Sequence, residues 1–491
     1  MGIIKRQASK SSWTALIGVA VSAASALYVI PTVPSKIYGT VSIVIGVASL
    51  LLPFTLLGLN STYLRFNESY SESHREGVFR KFYIAHTTFS ILLSICFYFA
   101  SNWFLTKFYN SSDLPSNTGV YISFMLFFMG QFTLLSSYIT SKYRLNVVRI
   151  AELIFQKLGI PVIFLIYIFF NLSTTHLLLL LSLLYLFRAI SLVFFKHRYT
   201  TNRAQIRTTQ IKLNKATVPY SIFALIAVIL HQAIIDIDTL MVGSLVGVSE
   251  AGIYKYAFYI AIIIDLPRIN LVSLLFPLIS KYQHENNNKK LNEIYKRSSN
   301  LLFSLGCIML LFILPSLDDF FSIIPNGDNF KSARMIIIYI SLAKLFNMLM
   351  GVNFEIIASS KNYLILLAIN LIALIVVIIA NLALIPPLGA DGAALATLIV
   401  WIIYNSTAML YLKHKYQLFP FSTNTLKIFI TAVVAFLIIY QIPITFNSSF
   451  LNIAFRSLIT MPFVFVFYKL KLSTDLNDQI NKYVKPFTRN N

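Results

Sequence analysis

Four polar residues recur at helical spacing in the apolar segment that runs from about Ala333 to Ala358. Lys344, Asn347, Gly351 and Glu355 lie three, four and four residues apart, which places them on one face of a helix. A charge at the bilayer centre costs about 2.5–3.5 kcal/mol on insertion scales, so it needs a partner or a water-filled cavity. The spacing predicts a cavity-lining stripe with Lys344 near mid-membrane. The alternative is a structural ion pair with a neighbouring helix, and the sequence favours this alternative for Glu355.

A second polar group lies in the apolar segment from about Val218 to Val246. Asp236 shares a helical face with Gln232, and Asp238 shares an adjacent face with His231. Carboxylates and histidines inside membranes serve proton or Na⁺ relays, so His231, Asp236 and Asp238 are candidate ion-coupling residues. The alternative is that they are counter-charges for basic residues on other segments.

Several other charges lie inside apolar segments. Asp265 and Arg268 are three residues apart, which predicts a local structural ion pair. Arg188 is close to an inner boundary, where snorkelling is the alternative to burial. Further basic residues in apolar segments are Lys157, Arg188, Lys255 and Arg456.

These charges must be positioned by membrane-spanning helices. Apolar residues make up 57% of the 491-residue chain and charged residues 12%. A spanning helix needs about 20 mostly apolar residues, and the chain holds about fourteen such segments between Trp13 and Tyr468. Two of them, near Asn300–Pro315 and Leu426–Tyr440, are short, so twelve is the alternative count. The sequence predicts an all-α, polytopic membrane helix bundle.

Basic residues indicate the orientation. Most of the 40 Lys and Arg residues fall in every second gap, while the intervening gaps hold only Lys36, Lys107, Lys331 and Arg334. Basic loops stay cytoplasmic, so the basic N-terminus (Lys5, Arg6 and Lys10) and the basic C-terminal tail are predicted to lie inside. A cleaved signal peptide at the first segment is the alternative, but it would leave an odd number of spans.

Composition and missing motifs exclude several classes. A net charge of +22 placed beside membrane spans indicates contact with anionic lipids, not nucleic acid. Cys96 and Cys307 both lie inside apolar segments, so neither a structural disulfide nor a cysteine metal site is expected. The chain lacks a Walker motif and catalytic metal spacing, so it is not expected to be an enzyme or to hold a cofactor.

A weak internal repeat accompanies this pattern. Ile37-Tyr38 and Ile253-Tyr254 each open an apolar segment that meets Leu-Pro about fifteen residues later. Repeats an even number of spans apart have the same orientation, which predicts two six-helix lobes related by an axis along the membrane normal. Chance recurrence in so apolar a chain is the alternative.

Longer motifs resemble a known family. The stretch Asp236-Ile-Asp-Thr-Leu-Met-Val-Gly243, followed by Gly252-Ile-Tyr-Lys-Tyr-Ala257, resembles the seventh-to-eighth helix signature of polysaccharide and O-antigen flippases. A second motif, Leu384-Ile-Pro-Pro-Leu-Gly389 with the Ala-rich run after it, is similar to that family's turn into helix twelve. Gly389 and Gly392 would permit close helix packing there. The proline pair would end helix eleven. The first segment carries no charge, unlike that of lipid II flippases, which favours the oligosaccharide branch.

The resemblance implies the fold of the multidrug/oligosaccharidyl-lipid/polysaccharide exporter superfamily. That fold has two six-helix lobes around a central cavity, often with two added helices. In this chain residues 1–205 and 206–415 would form the lobes, and residues 416–491 the added helices and a basic cytoplasmic tail.

The resemblance also implies a function. The chain would move an undecaprenyl-diphosphate-linked oligosaccharide from the cytoplasmic to the outer leaflet of a bacterial inner membrane, with H⁺ or Na⁺ as a coupling ion and polysaccharide polymerase or assembly proteins as partners. Basic cavity residues suit a diphosphate, and Asn347 suits a glycan. The alternative is a cation-coupled exporter of small amphipathic molecules. The residues assigned to the substrate are Lys344, Asn347, Lys157, Arg188, Lys255 and Arg456.

Overall fold

The computed structural model describes Thr14 and residues 17–70, 72–109, 113–199, 216–442 and 446–469. Every regular element within these ranges is helical, which confirms the all-α class. The principal helices, α1 to α17 in chain order, are Ile17–Thr32, Ser35–Leu56, Leu59–Phe66, Glu72–Phe108, Thr118–Ser141, Leu145–Phe169, Thr174–Tyr199, Thr217–Leu245, Val248–Ala261, Leu266–His284, Asn288–Ile313, Leu317–Ile323, Ala333–Leu349, Asn353–Ser359, Ile365–Tyr416, Thr423–Gln441 and Ser449–Lys469.

The predicted number of spanning helices can be compared with the described residues. Ten helices of the described residues are long and apolar enough to cross a membrane, or up to 12 if each of two bent pairs is one span. The count of about fourteen is therefore not confirmed. The helix α1 is shorter than a full span over its described residues, and two predicted spans are joined in α15.

A glycine breaks α15 into two helices. A straight helix of its 52 residues would be about 78 Å long, far more than a bilayer core of about 30 Å. The proline pair was expected to end the helix, but helical geometry continues through both prolines. It breaks at Gly389, which has φ +60° and ψ −139°. A Cβ on Gly389 would meet nothing within 4 Å, so Gly389 serves the turn and not close packing. Gly392 has the packing role, because its Cβ would lie 2.0 Å from the Leu384 carbonyl oxygen.

The chain divides into two compact units, Met1–Gly252 and Ile253–Asn491. In the first unit α2 to α7 share a core centred on aromatic rings of α3, α4 and α5. The rings of Phe79 and Tyr138 lie 4.3 Å apart, and those of Tyr63 and Phe79 lie 5.2 Å apart. The lobe boundaries after residues 205 and 415 stay predictions.

Two glycines bring the start of α2 against the start of α9. A Cβ on Gly39 would lie 1.8 Å from the Val248 carbonyl oxygen, and one on Gly252 would lie 2.1 Å from the Ser35 carbonyl oxygen. The hydroxyls of Ser35 and Ser249 are 2.6 Å apart. Both glycines adjoin the repeated Ile-Tyr pairs, so these segments pack against each other through bare backbone.

The second unit has several apolar cores. One joins α10, α11, α14 and α15 around Tyr295 and Ile356. Another packs α16 and α17 on α11 through Cys307, Ile428 and Phe467. Cys307 is buried there, whereas Cys96 in the first unit is exposed, and both are free thiols.

Parts of the charge pattern lie outside the described residues. These are the N-terminal Lys5, Arg6 and Lys10, the loop at residues 200–215 and the tail at residues 470–491.

Candidate functional site

Lys344 is the most enclosed of the candidate basic substrate residues in the second unit. Its side chain leaves α13 with only 5% of its surface exposed, and Asn347, one turn later, is 1% exposed. The Lys344 Nζ lies 4.6 Å from the centre of the Trp401 ring and 5.4 Å from that of Phe258. Both distances suit cation–π attraction, which stabilises an ammonium away from water.

Asp265 supplies the carboxylate of this site. It ends the short 3₁₀ segment Ile262–Asp265 between α9 and α10, and it is 6% exposed. Its Oδ2 lies 4.0 Å from the Lys344 Nζ, and its Oδ1 accepts a long 3.5 Å hydrogen bond from the Asn347 Nδ2. Close charge-assisted bonds are about 2.7–2.9 Å, so both contacts are loose.

A second ammonium approaches the same ring. The Lys255 Nζ, on α9, lies 5.5 Å from the centre of Phe258, and its side chain is half-buried. The structure therefore brings two predicted substrate residues, Lys255 and Lys344, to one aromatic side chain. Sequence reasoning missed Phe258 and Trp401, because aromatic residues are abundant in this chain and only the fold distinguishes these two.

The predicted polar stripe does not continue beyond Asn347. Helix α13 ends at Leu349, Gly351 has φ +62°, and α14 leaves at an angle of 52° to α13. The Ser299 hydroxyl donates a 2.5 Å hydrogen bond to the Leu349 carbonyl oxygen. Because the helix is broken, Glu355 does not share the face of Lys344, and the continuous stripe to Glu355 was wrong.

The predicted ion pair between Asp265 and Arg268 is also wrong. Arg268 donates from its Nη2 to the Glu355 Oε1 at 3.1 Å, while Asp265 faces Lys344. The 3₁₀ segment ends at Asp265 and a new helix begins at Leu266, so the two side chains do not share a regular helical face. Glu355 has the structural role that the sequence favoured, as a partner of α10.

Arg456 is engaged at another place in the second unit. Its Nη1 donates to the Pro315 carbonyl oxygen, and its Nε lies 3.6 Å from the Asp319 Oδ2. The Asn452 Nδ2 donates to the other oxygen of Asp319 at 2.7 Å. These contacts fasten α17 to α12, so the structure gives Arg456 protein partners away from Lys344.

In the first unit, Arg188 of α7 is buried in the α5–α7 core with 9% of its surface exposed. Its guanidinium carbon lies 3.7 Å from the centre of the Phe132 ring, and its Nε has no hydrogen-bond partner. Within the ranges described above, Arg188 forms no salt bridge. Lys157 lies on a π-helical segment of α6, is exposed, and its stem lies beside Gly18 of α1.

The candidate ion-coupling residues of α8 differ in burial. Asp236 and Asp238 are buried, and the Asp236 Oδ2 accepts a 2.6 Å hydrogen bond from the Gln232 Nε2. His231 is exposed. Sequence reasoning also missed His86 of α4, which is fully buried and whose Nδ1 lies 2.7 Å from the Thr55 carbonyl oxygen. A lone histidine in an apolar segment gave no signal that α2 would supply this partner.

Solved membrane transporters share this fold. A structure described as the lipid II flippase MurJ in an inward closed conformation matches with a TM-score of 0.72 at 15% identity, over 94% of this chain and 98% of the other. An inward-facing multidrug resistance MATE family transporter of the MOP superfamily matches with a TM-score of 0.62 at 10% identity, over 82% of this chain and 94% of the other. A MATE structure in a bent conformation matches with a TM-score of 0.57 at 11% identity, over 88% and 96%.

The curated proteins offer no match. The family model described as polysaccharide biosynthesis protein matches residues 8–283, more than half of the chain. The fold, the apolar helices and this match agree with the resemblance drawn from the sequence motifs. The chain is a multi-pass membrane protein with the fold of the MOP superfamily, and it belongs to the polysaccharide biosynthesis protein family.

Proposed function

We propose that the protein is a flippase that carries an undecaprenyl-diphosphate-linked oligosaccharide from the cytoplasmic to the outer leaflet by alternating access. The observation that carries the proposal is the approach of two ammonium groups, on Lys255 and Lys344, to the Phe258 ring. A diphosphate has two adjacent anionic groups, and charge-assisted hydrogen bonds to two ammoniums would bind it more strongly than one. The membership in the polysaccharide biosynthesis family supports the glycan as cargo.

The loose contacts of Lys344 favour binding over a purely structural role. A structural ion pair in a membrane interior is expected to be close, as Arg268 and Glu355 are at 3.1 Å. The Lys344 Nζ is 4.0 Å from the Asp265 Oδ2, which is longer than the distance in that structural pair. An incoming phosphate oxygen would offer Lys344 a shorter contact, and Asn347 beside it would bind a sugar hydroxyl.

Arg188 is a further anion-binding residue in this proposal. A guanidinium binds phosphate oxygens in pairs, and that of Arg188 lies against the ring of Phe132. Arg188 forms no salt bridge with a carboxylate among the described residues, and such burial is costly, which favours a role with an anion that arrives and leaves.

The driving force follows from the charge of the cargo. Outward movement of an anion runs down a membrane potential that is negative inside, and it is worth about 2.3 kcal/mol per charge per 100 mV. The basic residues of the protein would offset part of this energy. An H⁺ or Na⁺ ion that moves inward would then return the transporter to its starting state. We assign that ion to the carboxylates of Asp236 and Asp238. In this proposal the protein lies in the bacterial inner membrane with both termini cytoplasmic, beside anionic lipids and the polysaccharide polymerase.

Export of small amphipathic molecules is the second candidate, because multidrug transporters share the fold and α8 holds two buried carboxylates. Such carboxylates could bind an organic cation. The two ammonium groups at Phe258 argue against a cationic cargo at that site.

A deletion strain tests the proposal. Loss of the gene should cause lipid-linked oligosaccharide to accumulate in the inner leaflet, and the wild-type gene should remove the accumulation. Lys344→Ala should lower translocation by about 10- to 100-fold, since a hydrogen bond to a charged group is worth about 1.5–3 kcal/mol. Arg297→Gln, which alters an exposed ion pair with Glu293, is the matched control and should complement fully. Normal lipid distribution in the deletion strain, or full complementation by Lys344→Ala at equal expression, would contradict the proposal.

A further inference from the structure

We infer that a groove between α4 and α5 binds a glycerophospholipid, with its ester carbonyls at the hydroxyls of Ser94 and Ser123 and an acyl chain along an aromatic wall of α5. The groove lies within the first unit and contains none of the residues assigned to the glycan cargo. The inference therefore stands or falls separately from the proposed function.

The groove is large enough for a ligand and opens to the membrane. Its volume is about 370 Å³, and ligand sites typically have about 300–1,000 Å³. Its rim includes Ile95 and Tyr98 of α4 and Val120 of α5, which are all exposed. Because α4 and α5 are both long and apolar enough to span a bilayer, such a rim indicates that the groove faces hydrocarbon.

One wall of the groove is aromatic. Phe124, Phe127 and Phe128 of α5 all line it. The ring centres of Phe124 and Phe128 lie 4.6 Å apart, and those of Phe127 and Phe128 lie 5.0 Å apart. Aromatic rings provide a large apolar contact area, so this wall suits a hydrocarbon chain that lies along α5.

Two serines in the groove lack hydrogen-bond partners. Ser94 and Ser123 line it and are 9% and 8% exposed, and neither hydroxyl has a partner among the described residues. A buried serine in a helix can donate to its own backbone, as Ser182 of α7 does to the Leu178 carbonyl oxygen at 2.8 Å. A hydroxyl left without an acceptor beside hydrocarbon is costly, because no water is there to bind it. The two serines therefore favour a ligand that brings acceptors.

The need for acceptors distinguishes a phospholipid from a polyprenyl chain. A diacyl glycerophospholipid has two ester carbonyls, and each can accept a hydrogen bond from a serine hydroxyl. A polyprenyl chain has no acceptor along its hydrocarbon and would leave both hydroxyls unsatisfied. The pair of serines thus favours the ester-linked lipid.

The depth of Ser123 suits these carbonyls. Helix α5 has 24 residues and is about 36 Å long, slightly more than a hydrocarbon core of about 30 Å. Ser123 lies five residues after Thr118, which begins the helix, or about 7.5 Å along its axis. A centred α5 would place Ser123 about 4–5 Å inside the core, close to the level at which the acyl chains join the headgroups.

Cys96 allows the site to be tested in the full chain. It is an exposed thiol next to Ile95 of the rim, whereas Cys307 is buried. A fluorophore on Cys96 of delipidated protein in detergent is titrated with two phosphatidylglycerols that have the same brominated chains, one ester-linked and one ether-linked. Bromine quenches nearby fluorescence, so quenching measures occupancy of the groove. Quenching by the ester lipid should saturate at one lipid per protein. The ether lipid, which lacks both carbonyls, should bind about 10-fold more weakly.

Three variants connect the binding to the groove. Ser94→Ala/Ser123→Ala should abolish the preference for the ester lipid and leave the affinity for the ether lipid unchanged. Ser182→Ala removes a buried hydroxyl that already has an acceptor, so this control should keep the preference. Val120→Trp adds bulk at the rim and should weaken the binding of both lipids.

Several results would overturn the inference. The wild type alone would do so if it bound the ester and ether lipids equally, or if quenching rose without saturation, as it does for lipids that surround a protein without a site. A preference for the ester lipid that survives Ser94→Ala/Ser123→Ala would place the lipid elsewhere. Unlabelled polyprenyl phosphate that displaces the brominated lipid at a lower concentration than unlabelled ester phosphatidylglycerol would assign the groove to a polyprenyl chain instead.

Discussion

The Ser299 hydroxyl on α11 donates a hydrogen bond to the Leu349 carbonyl oxygen at the end of α13. A helix that stops in a membrane interior leaves carbonyl groups without partners, and unsatisfied groups there are costly. Ser299 satisfies one of them, and the Asn353 side chain accepts from the Phe354 amide at the start of α14. The break between α13 and α14 is thus stabilised on both sides, so it is a stable feature of the fold.

We expect Gly351→Ala to destabilise the protein more than Gly389→Ala. Both glycines have left-handed φ values, +62° and +60°, so an alanine strains the backbone at either position. At Gly351 the new Cβ would also lie 3.0 Å from the Ser298 hydroxyl and the Ser299 amide, whereas at Gly389 it meets nothing within 4 Å. The backbone strain alone is worth about 1–3 kcal/mol. Thermal unfolding in detergent measures the difference, and equal unfolding temperatures would contradict it.

The contact between α2 and α9 gives a second prediction. Gly39→Ala should disrupt the packing, because its Cβ would lie 1.8 Å from the Val248 carbonyl oxygen, a backbone atom that cannot rotate away. Gly18→Ala on α1 is the control, since its Cβ would make ordinary contacts at 3.7 Å and beyond. The yield of monodisperse protein after purification should fall for Gly39→Ala only. A normal yield of Gly39→Ala would show that the two helices separate easily.

The membrane topology can be checked with reporter fusions. Fusions after Asn110, Pro325 and Ser448 should report the outside, and fusions at Arg207, Asn287 and the C-terminus should report the cytoplasm. The reason is the alternation of basic gaps along the chain, since basic loops resist translocation. A C-terminus that reports the outside would refute the proposed orientation.

The ion-coupling assignment on α8 gives a fourth prediction. Reconstituted protein should take up H⁺ or Na⁺ when substrate is present, and Asp236→Asn/Asp238→Asn should suppress that uptake, because the variant removes both buried carboxylates of α8. Glu285→Gln, which alters an exposed pair with Lys281, serves as the control. Uptake that persists in the double variant would remove the coupling role from α8.

The sequence predicted the class of fold well, because long apolar segments can satisfy their backbone groups in a membrane only as helices or closed barrels. It failed where a helix breaks. Gly351 was read as part of a continuous stripe, since a glycine in an apolar segment is also compatible with an unbroken helix. The turn at Gly351, with its positive φ, packs closely against Ser298 and Ser299, which are about fifty residues away along the chain.

The same limit applies to the candidate site. Sequence spacing identified Lys344 and Asn347 on one helical turn, and the structure places both in the interior. It could not identify the partner of either charge, because an ion pair between helices depends on tertiary packing. The local rule that favours pairs three residues apart misassigned Asp265 to Arg268, whereas the nearest opposite charges came from α13 and α14.

The packing of α16 and α17 has a consequence for how such proteins diversify. Cys307 of α11 shares one core with Ile428 and Phe467, so the last two helices and α11 are complementary in shape. A gene exchange that replaced only these last two helices with those of a distant relative would leave voids or clashes against α11. Exchange that carries α11 along with them keeps the matched surfaces together, so inherited blocks should include α11.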